Sequence, residues 1–187
     1  FCSKRQMTTL LTGTTGANLF KQGATGDGNF PITVGTDLSI AALAGNDTID
    51  FAGLGIISKV TVSAADGDDS VNLGAGILDS TIYLGPGNDS VSGTSGSAIS
   101  STLIQSASGA NAFALSGISA NVASFVGGTG KDTINLGTFS SSLIAAGAGD
   151  DSITVGGVTK STIFSGSGSD TVTTGSMLNS YIQSASG

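Results

Sequence analysis

The sequence predicts an all-β fold, a parallel β-solenoid of two sheets with about eight coils of about 20 residues each. Three observations predict it: a short turn pattern that recurs along the chain, a run of short apolar strands at the same period, and a composition poor in helix formers. Of 187 residues, 30 are Gly, 39% are hydrophobic and only 10% are charged. The 13 acidic residues are all Asp, and Asp and Gly favour turns over helix interiors.

The turn pattern is Gly, any residue, Asp, Ser or Thr, then an aliphatic residue. It occurs at Gly45-Asn46-Asp47, Gly67-Asp68-Asp69, Gly87-Asn88-Asp89, Gly130-Lys131-Asp132, Gly149-Asp150-Asp151 and Gly168-Ser169-Asp170, each with its hydroxyl and aliphatic residues following. Successive Asp residues lie 22, 20, 43, 19 and 19 positions apart, and the long gap holds a degenerate copy, Gly109-Ala110-Asn111. Another degenerate copy, Gly16-Ala17-Asn18, opens the array.

Between these turns a second pattern runs at the same period, at Ser80–Leu84, Ser101–Gln105, Ser141–Ala145, Ser161–Ser165 and Asn179–Gln183. Two strands of four to six residues and two tight turns fill one flattened coil. Coils stacked about 4.8 Å apart make a rod of roughly 38 Å. Alternation after each Asp puts Ile49, Val71, Val91, Phe113, Ile134, Ile153 and Val172 in one inward ladder. Phe51, Leu73, Leu115, Leu136 and Val155 form a second, met from the opposite sheet by Val60, Ile82, Leu103, Ile163 and Tyr181. No coil buries these residues alone, so stability comes from stacking.

The same alternation sends Tyr83, Ile104, Ile144, Phe164 and Ile182 outward, an apolar stripe expected to pack laterally on another copy. Ser80, Ser101, Ser141 and Ser161 are expected as solvated residues on the opposite turn. Residues 1–6 read as an N-terminal extension, 7–187 as a single solenoid domain, and about 21–31 as an inserted loop. The segment from Met7 to Gly16 aligns with that from Leu178 to Gly187, so both ends share one phase of the coil. Uncapped solenoid ends invite pairing, which predicts head-to-tail stacking of copies.

Charge narrows the partners. A net charge of −7 with 6 basic residues excludes nucleic acid, which needs clustered Lys and Arg. Cys2 is the only cysteine and there is no His, so neither an internal disulfide nor a zinc site can form. No apolar run approaches the roughly 18 to 20 residues that span a bilayer. Without His, G-x-S-x-G or a basic cluster beside carboxylates, the chain lacks an acid/base set, and no enzymatic activity is expected.

Cations remain. Stacked Asp carboxylates about 5 Å apart repel by about 3 kcal/mol at an effective dielectric near 20. Ca²⁺ accepts six to eight oxygens, so each turn can offer its Asp and the carbonyls that glycine conformations aim inward. The predicted ligands are Asp47, Asp69, Asp89, Asp132, Asp151 and Asp170 with Gly45, Gly67, Gly87, Gly130, Gly149 and Gly168. Asp66, Asp68 and Asp150 add charge nearby. Several ions are expected, about one per pair of adjacent turns. Asn18 and Asn111 carry no charge and should bind weakly or not at all.

These turns resemble the glycine-rich nonapeptide G-G-x-G-x-D-x-U-x of the RTX, or haemolysin-type, calcium-binding family. Gly127-Gly128-Thr129-Gly130-Lys131-Asp132 matches the whole G-G-x-G-x-D core, and the turns ending at Asp89, Asp151 and Asp170 keep G-x-G-x-D. Leu43 and Ala65 replace the first of these glycines in the other two. The family repeats its motif about every nine residues, whereas here it comes once per coil, so the implied calcium ladder is one-sided. The resemblance implies a secreted protein at the bacterial surface, folding where calcium is abundant. A calcium-stabilised fibre or surface-layer element is the expected function. The alternative is a calcium-dependent adhesin or glycan-binding module cut from a longer protein of that type.

Overall fold

The computed structural model describes residues 9–21, 29–31 and 37–185. The expected extension over 1–6 and most of the inserted loop lie outside them. Strands are the only regular elements among the described residues, and every strand pair is parallel. They form two sheets, one of 9 strands and one of 13. The first runs from Thr9–Thr12 to Tyr181–Ser184. The second begins after each Asp turn. The result is a parallel β-solenoid of about 7 turns, slightly fewer than the eight expected from the repeats.

Each coil has three strand segments rather than two. In the Asp89 coil these are Thr81–Tyr83, Ser90–Ser92 and Ala98–Ser100. The last two belong to the same sheet, and in later coils they fuse into strands such as Thr133–Ser140 and Ser152–Thr159. The third segment carries an unforeseen core ladder of Ile57, Ile77, Ile99, Ala120, Phe139 and Val158, all buried and in register. Its apolar residues are separated by Gly, Ser and Thr, so no clear alternation marks it in the sequence.

The core packs as the parity argument requires on the Asp side. Ile49, Val71, Val91, Phe113, Ile134 and Ile153 are buried in register, and Val172 packs against them half-buried. Phe51, Leu73, Leu115, Leu136 and Val155 are buried beside them. On the opposite sheet the expected register slips by one between coils. Ile82 pairs with Ile104, not Leu103, and Ile144 pairs with Ile163. A one-residue slip exchanges the two faces of a strand. Ile104 and Ile144 are therefore core residues at 0% exposure, Leu103 is only half-buried, and Tyr181 lies outside at 58%. The continuous apolar stripe through Tyr83, Ile104, Ile144, Phe164 and Ile182 does not exist: Tyr83 and Phe164 stand alone on the outer face. Ile182 occupies the inward column and is exposed because no coil follows it among the described residues.

The same slip corrects the hydroxyl ladder. Its members are Ser80, Thr102, Ser142, Ser161 and Ser180, and the first four are buried rather than solvated. Ser142 Nα–H donates to Ser161 Oγ at 3.1 Å, and Val60 Nα–H to Ser80 Oγ at 3.0 Å. Ser80, Ser142, Ser161 and Ser180 thus each accept an amide from the preceding coil, whereas the Thr102 hydroxyl donates to the Ser100 carbonyl at 2.8 Å. Ser101 and Ser141 instead hold left-handed turn positions, with φ 49° and 50°. Within the inserted segment, Asn29–Pro31 pairs with Leu19–Lys21 at the N-terminal edge of the larger sheet.

Candidate metal centre

The six Asp side chains point between the sheets. Asp47, Asp69, Asp89, Asp132 and Asp151 are each at most 2% exposed. Glycine makes this possible. Gly87 sits at φ 145°, and a Cβ there would collide with the carbonyl of Gly67 in the preceding coil. The same contact recurs along this column of glycines, so coils close tightly at this edge only with glycine present.

One carboxylate oxygen of each Asp has a fixed partner. Asp47 Nα–H donates to Asp69 Oδ1 at 2.8 Å, Asp69 to Asp89 Oδ1 at 2.9 Å, Asp132 to Asp151 Oδ1 at 2.8 Å and Asp151 to Asp170 Oδ1 at 3.1 Å. The ladder continues through the asparagines: Asp89 donates to Asn111 Oδ1 at 3.0 Å, and Asn111 to Asp132 Oδ1 at 2.8 Å. These are bonds between coils, not local turn bonds. An amide therefore separates successive carboxylates, which sequence spacing alone does not reveal.

The other oxygen has none. Oδ2 of Asp47, Asp69, Asp89, Asp132, Asp151 and Asp170 is buried without a hydrogen-bond partner. The two asparagine rungs show what that place requires. Asn18 Nδ2 donates to the carbonyls of Gly16 at 2.6 Å and Ala42 at 3.1 Å, and to Asp47 Oδ1 at 2.7 Å. Asn111 Nδ2 donates to Gly109 at 3.2 Å, Gly127 at 3.3 Å and Asp132 Oδ1 at 3.0 Å. The positions around Asp132 repeat this arrangement with the sign reversed. A Cβ on Gly127 would touch both Asp132 Oδ2 and the Ala146 carbonyl oxygen, just as one on Gly13 would touch Asn18 Nδ2 and the Ala42 oxygen. Two acceptors face one another where the asparagine rungs place N–H···O.

Burial raises the carboxyl pKa of Asp47, Asp69, Asp89, Asp132 and Asp151. Desolvation pushes Asp69 up to about 7, against the Asp47 amide that lowers it and with the charges of Asp89, Asp47 and Asp68 adding to the rise. Desolvation likewise pushes Asp89 up to about 6, opposed by the Asp69 amide. Asp47, Asp132 and Asp151 are also raised, chiefly by burial. These five rungs are thus starved of positive charge.

A divalent cation fits this donor set, because it would supply the charge that Oδ2 and the inward carbonyls lack. The residues that would hold it are the Asp of each rung and the backbone carbonyls of its glycine turn and of the neighbouring coil. Among the described residues no three His, Cys, Asp or Glu side chains converge on one point, so main-chain oxygens would have to complete any shell. Asp66, Asp68 and Asp150 are exposed on the outer side of the turn. Asp68 Oδ1 accepts the Asn88 amide at 2.8 Å and Asp150 Oδ1 the Ser169 amide at 2.8 Å, forming a second, solvent-facing ladder. The residue five positions before each Asp, among them Gly127, Ala146 and Ser165, also borders the carboxylate row and carries little mark in the sequence. The first Gly of Gly127-Gly128-Thr129-Gly130-Lys131-Asp132 was its only signal.

Fold and site together define a parallel β-solenoid with a buried carboxylate ladder along one edge. Residues 79–98 match the model of the RTX calcium-binding nonapeptide repeat, and this span contains the Asp89 turn. That segment is similar to the RTX calcium-binding repeat, and Ca²⁺ is the ion the similarity implies. No curated protein and no solved structure matches the chain.

Proposed function

We propose that the chain is an extracellular structural module that calcium stiffens: its ladder stays electrostatically incomplete until the ion is bound, and then locks coil to coil. The observation that carries this reading is the row of six buried, unpartnered Oδ2 atoms, each on a G-x-D turn. A ligand that binds only the stacked state stabilises it by mass action, so folding follows the calcium concentration around the chain. Such coupling suits a protein that leaves the cell unfolded and assembles outside. Among the described residues no helix is long and apolar enough to cross a membrane.

The working role is to form or extend a fibre or surface layer by stacking coils of successive copies. Met177 and Ile182, at 41% and 37% exposure, stand in columns whose previous members, Val158 and Ile163, are covered. A further coil stacked on these columns, from this chain or from another copy, would cover both. Far-ultraviolet circular dichroism with calcium and after chelation tests the first part; spectra unchanged by chelation would sink it. Electron microscopy of the calcium-loaded protein tests the second, with filaments expected and rods of one fixed length counting against it.

A further inference from the structure

We infer that the Ser165 hydroxyl is an additional ligand at the Asp170 rung, which makes that site different from the others. The inference rests on the cation reading of the ladder and concerns which of this chain's own groups complete one site. Ser165 is 1% exposed, and its Oγ is buried with no hydrogen-bond partner. Asp170 Oδ2 is in the same condition. Both residues line one cavity at the C-terminal end of the coil stack, together with Ser184, Val172 and Ile182.

Ser165 precedes Asp170 by the same interval as Gly127 precedes Asp132. At the latter rung a Cβ on Gly127 would reach Asp132 Oδ2. A side chain at this position therefore abuts the unpartnered carboxylate oxygen of its own rung. Most coils fill it with a group that offers no donor atom: Ala42, Ala64, Leu84 and Ala146 precede Asp47, Asp69, Asp89 and Asp151. Ser106 is the other hydroxyl, and it is already engaged, donating to the Gly127 carbonyl beside the neutral Asn111 rung. The pairing of Thr162–Ser167 with Tyr181–Ser184 shifts register between Phe164 and Gly166, so Ser165 falls at the irregularity. No such bond to the following coil holds its hydroxyl, and Ser165 lines the same cavity as Asp170. A buried hydroxyl and a buried carboxylate oxygen, both unsatisfied and on residues that line one cavity, make a hard-oxygen pair suited to Ca²⁺.

The test is a double-mutant cycle in the full chain, read as calcium isotherms by titration calorimetry for wild type, Ser165→Ala, Asp170→Asn and the double variant. Ala146 occupies the equivalent place in the adjacent coil, so alanine is compatible with the fold there. Ser165→Ala should weaken one site about tenfold, the loss of one neutral ligand among several, without changing the number of ions. In the Asp170→Asn background the same substitution should have no effect, and Ser106→Ala should leave the wild-type isotherm unchanged. An isotherm unaltered by Ser165→Ala, or an equal effect with and without Asp170, overturns the inference while leaving the ladder intact. If Asp170→Asn removes no ion, the rung itself takes none, and the failure lies with the cation reading there.

Discussion

Asp132→Asn separates the two roles of the ladder carboxylate. The substitution keeps Oδ1 as acceptor for the Asn111 amide, now at 2.8 Å, and replaces the unpartnered Oδ2 by an amide nitrogen. By the precedent of Asn18 and Asn111 that nitrogen finds carbonyl acceptors, here those of Gly130 and Ala146. A buried polar atom without a partner costs about 1–3 kcal/mol, so the calcium-free variant should be more stable than wild type by about that amount. For a domain of this size each kcal/mol moves the melting midpoint by about 2–4 °C. With calcium at about 100 times its dissociation constant, each site adds about 2.7 kcal/mol, and the variant should forgo one such contribution. Asp132→Ala provides the contrast: it strips the Asn111 amide of its acceptor and should lose stability with or without calcium. Thermal melts of the three proteins in calcium-free and calcium-loaded buffer decide the matter. The reasoning is refuted if the calcium-free Asn variant melts as low as the Ala variant, or if calcium raises its midpoint as much as wild type's.

The metal-free protein should lose stability as pH rises. Folded carboxyls at about 7 for Asp69 and about 6 for Asp89 hold protons that the unfolded chain, near 3.8, releases, so their contribution is full below about pH 4 and gone above pH 7. Calcium-depleted protein should thus melt higher at pH 5 than at pH 8; the opposite order would contradict the burial of these groups. Gly87→Ala forces a Cβ against the Gly67 carbonyl at a φ of 145° and should cost about 2–4 kcal/mol, read from denaturant midpoints. Ile144→Asp places a charge in the core and should abolish cooperative unfolding, while Phe164→Asp on the outer face should shift the midpoint by less than about 1 kcal/mol. Equal effects of the last two would return Ile144 to the surface.

The Asp side of the coil was legible because its turn fixes the register. Gly-x-Asp anchors each copy, and every residue counted from it, from Ile49 to Ile153, lies on the face that parity assigns. The opposite strand has no such anchor. Ser101-Thr102 and Ser141-Ser142 each offer two hydroxyls to one ladder position, and only the second of each pair places Ile104 and Ile144 on the inner face. The third segment was illegible for a different reason. Its buried column includes Ala120, and Gly137 and Gly156 interrupt the alternation before Phe139 and Val158. For the site, the identity of the acidic residues followed from the repeat. The division of labour between their two oxygens did not, since it depends on which amide of the neighbouring coil each meets.

Counting the ions bound by the intact chain tests the central claim most directly. Equilibrium dialysis against calcium should find saturable uptake of several ions per chain, with one fewer in Asp132→Asn. A chain that takes up no calcium while retaining its β-structure would contradict the account.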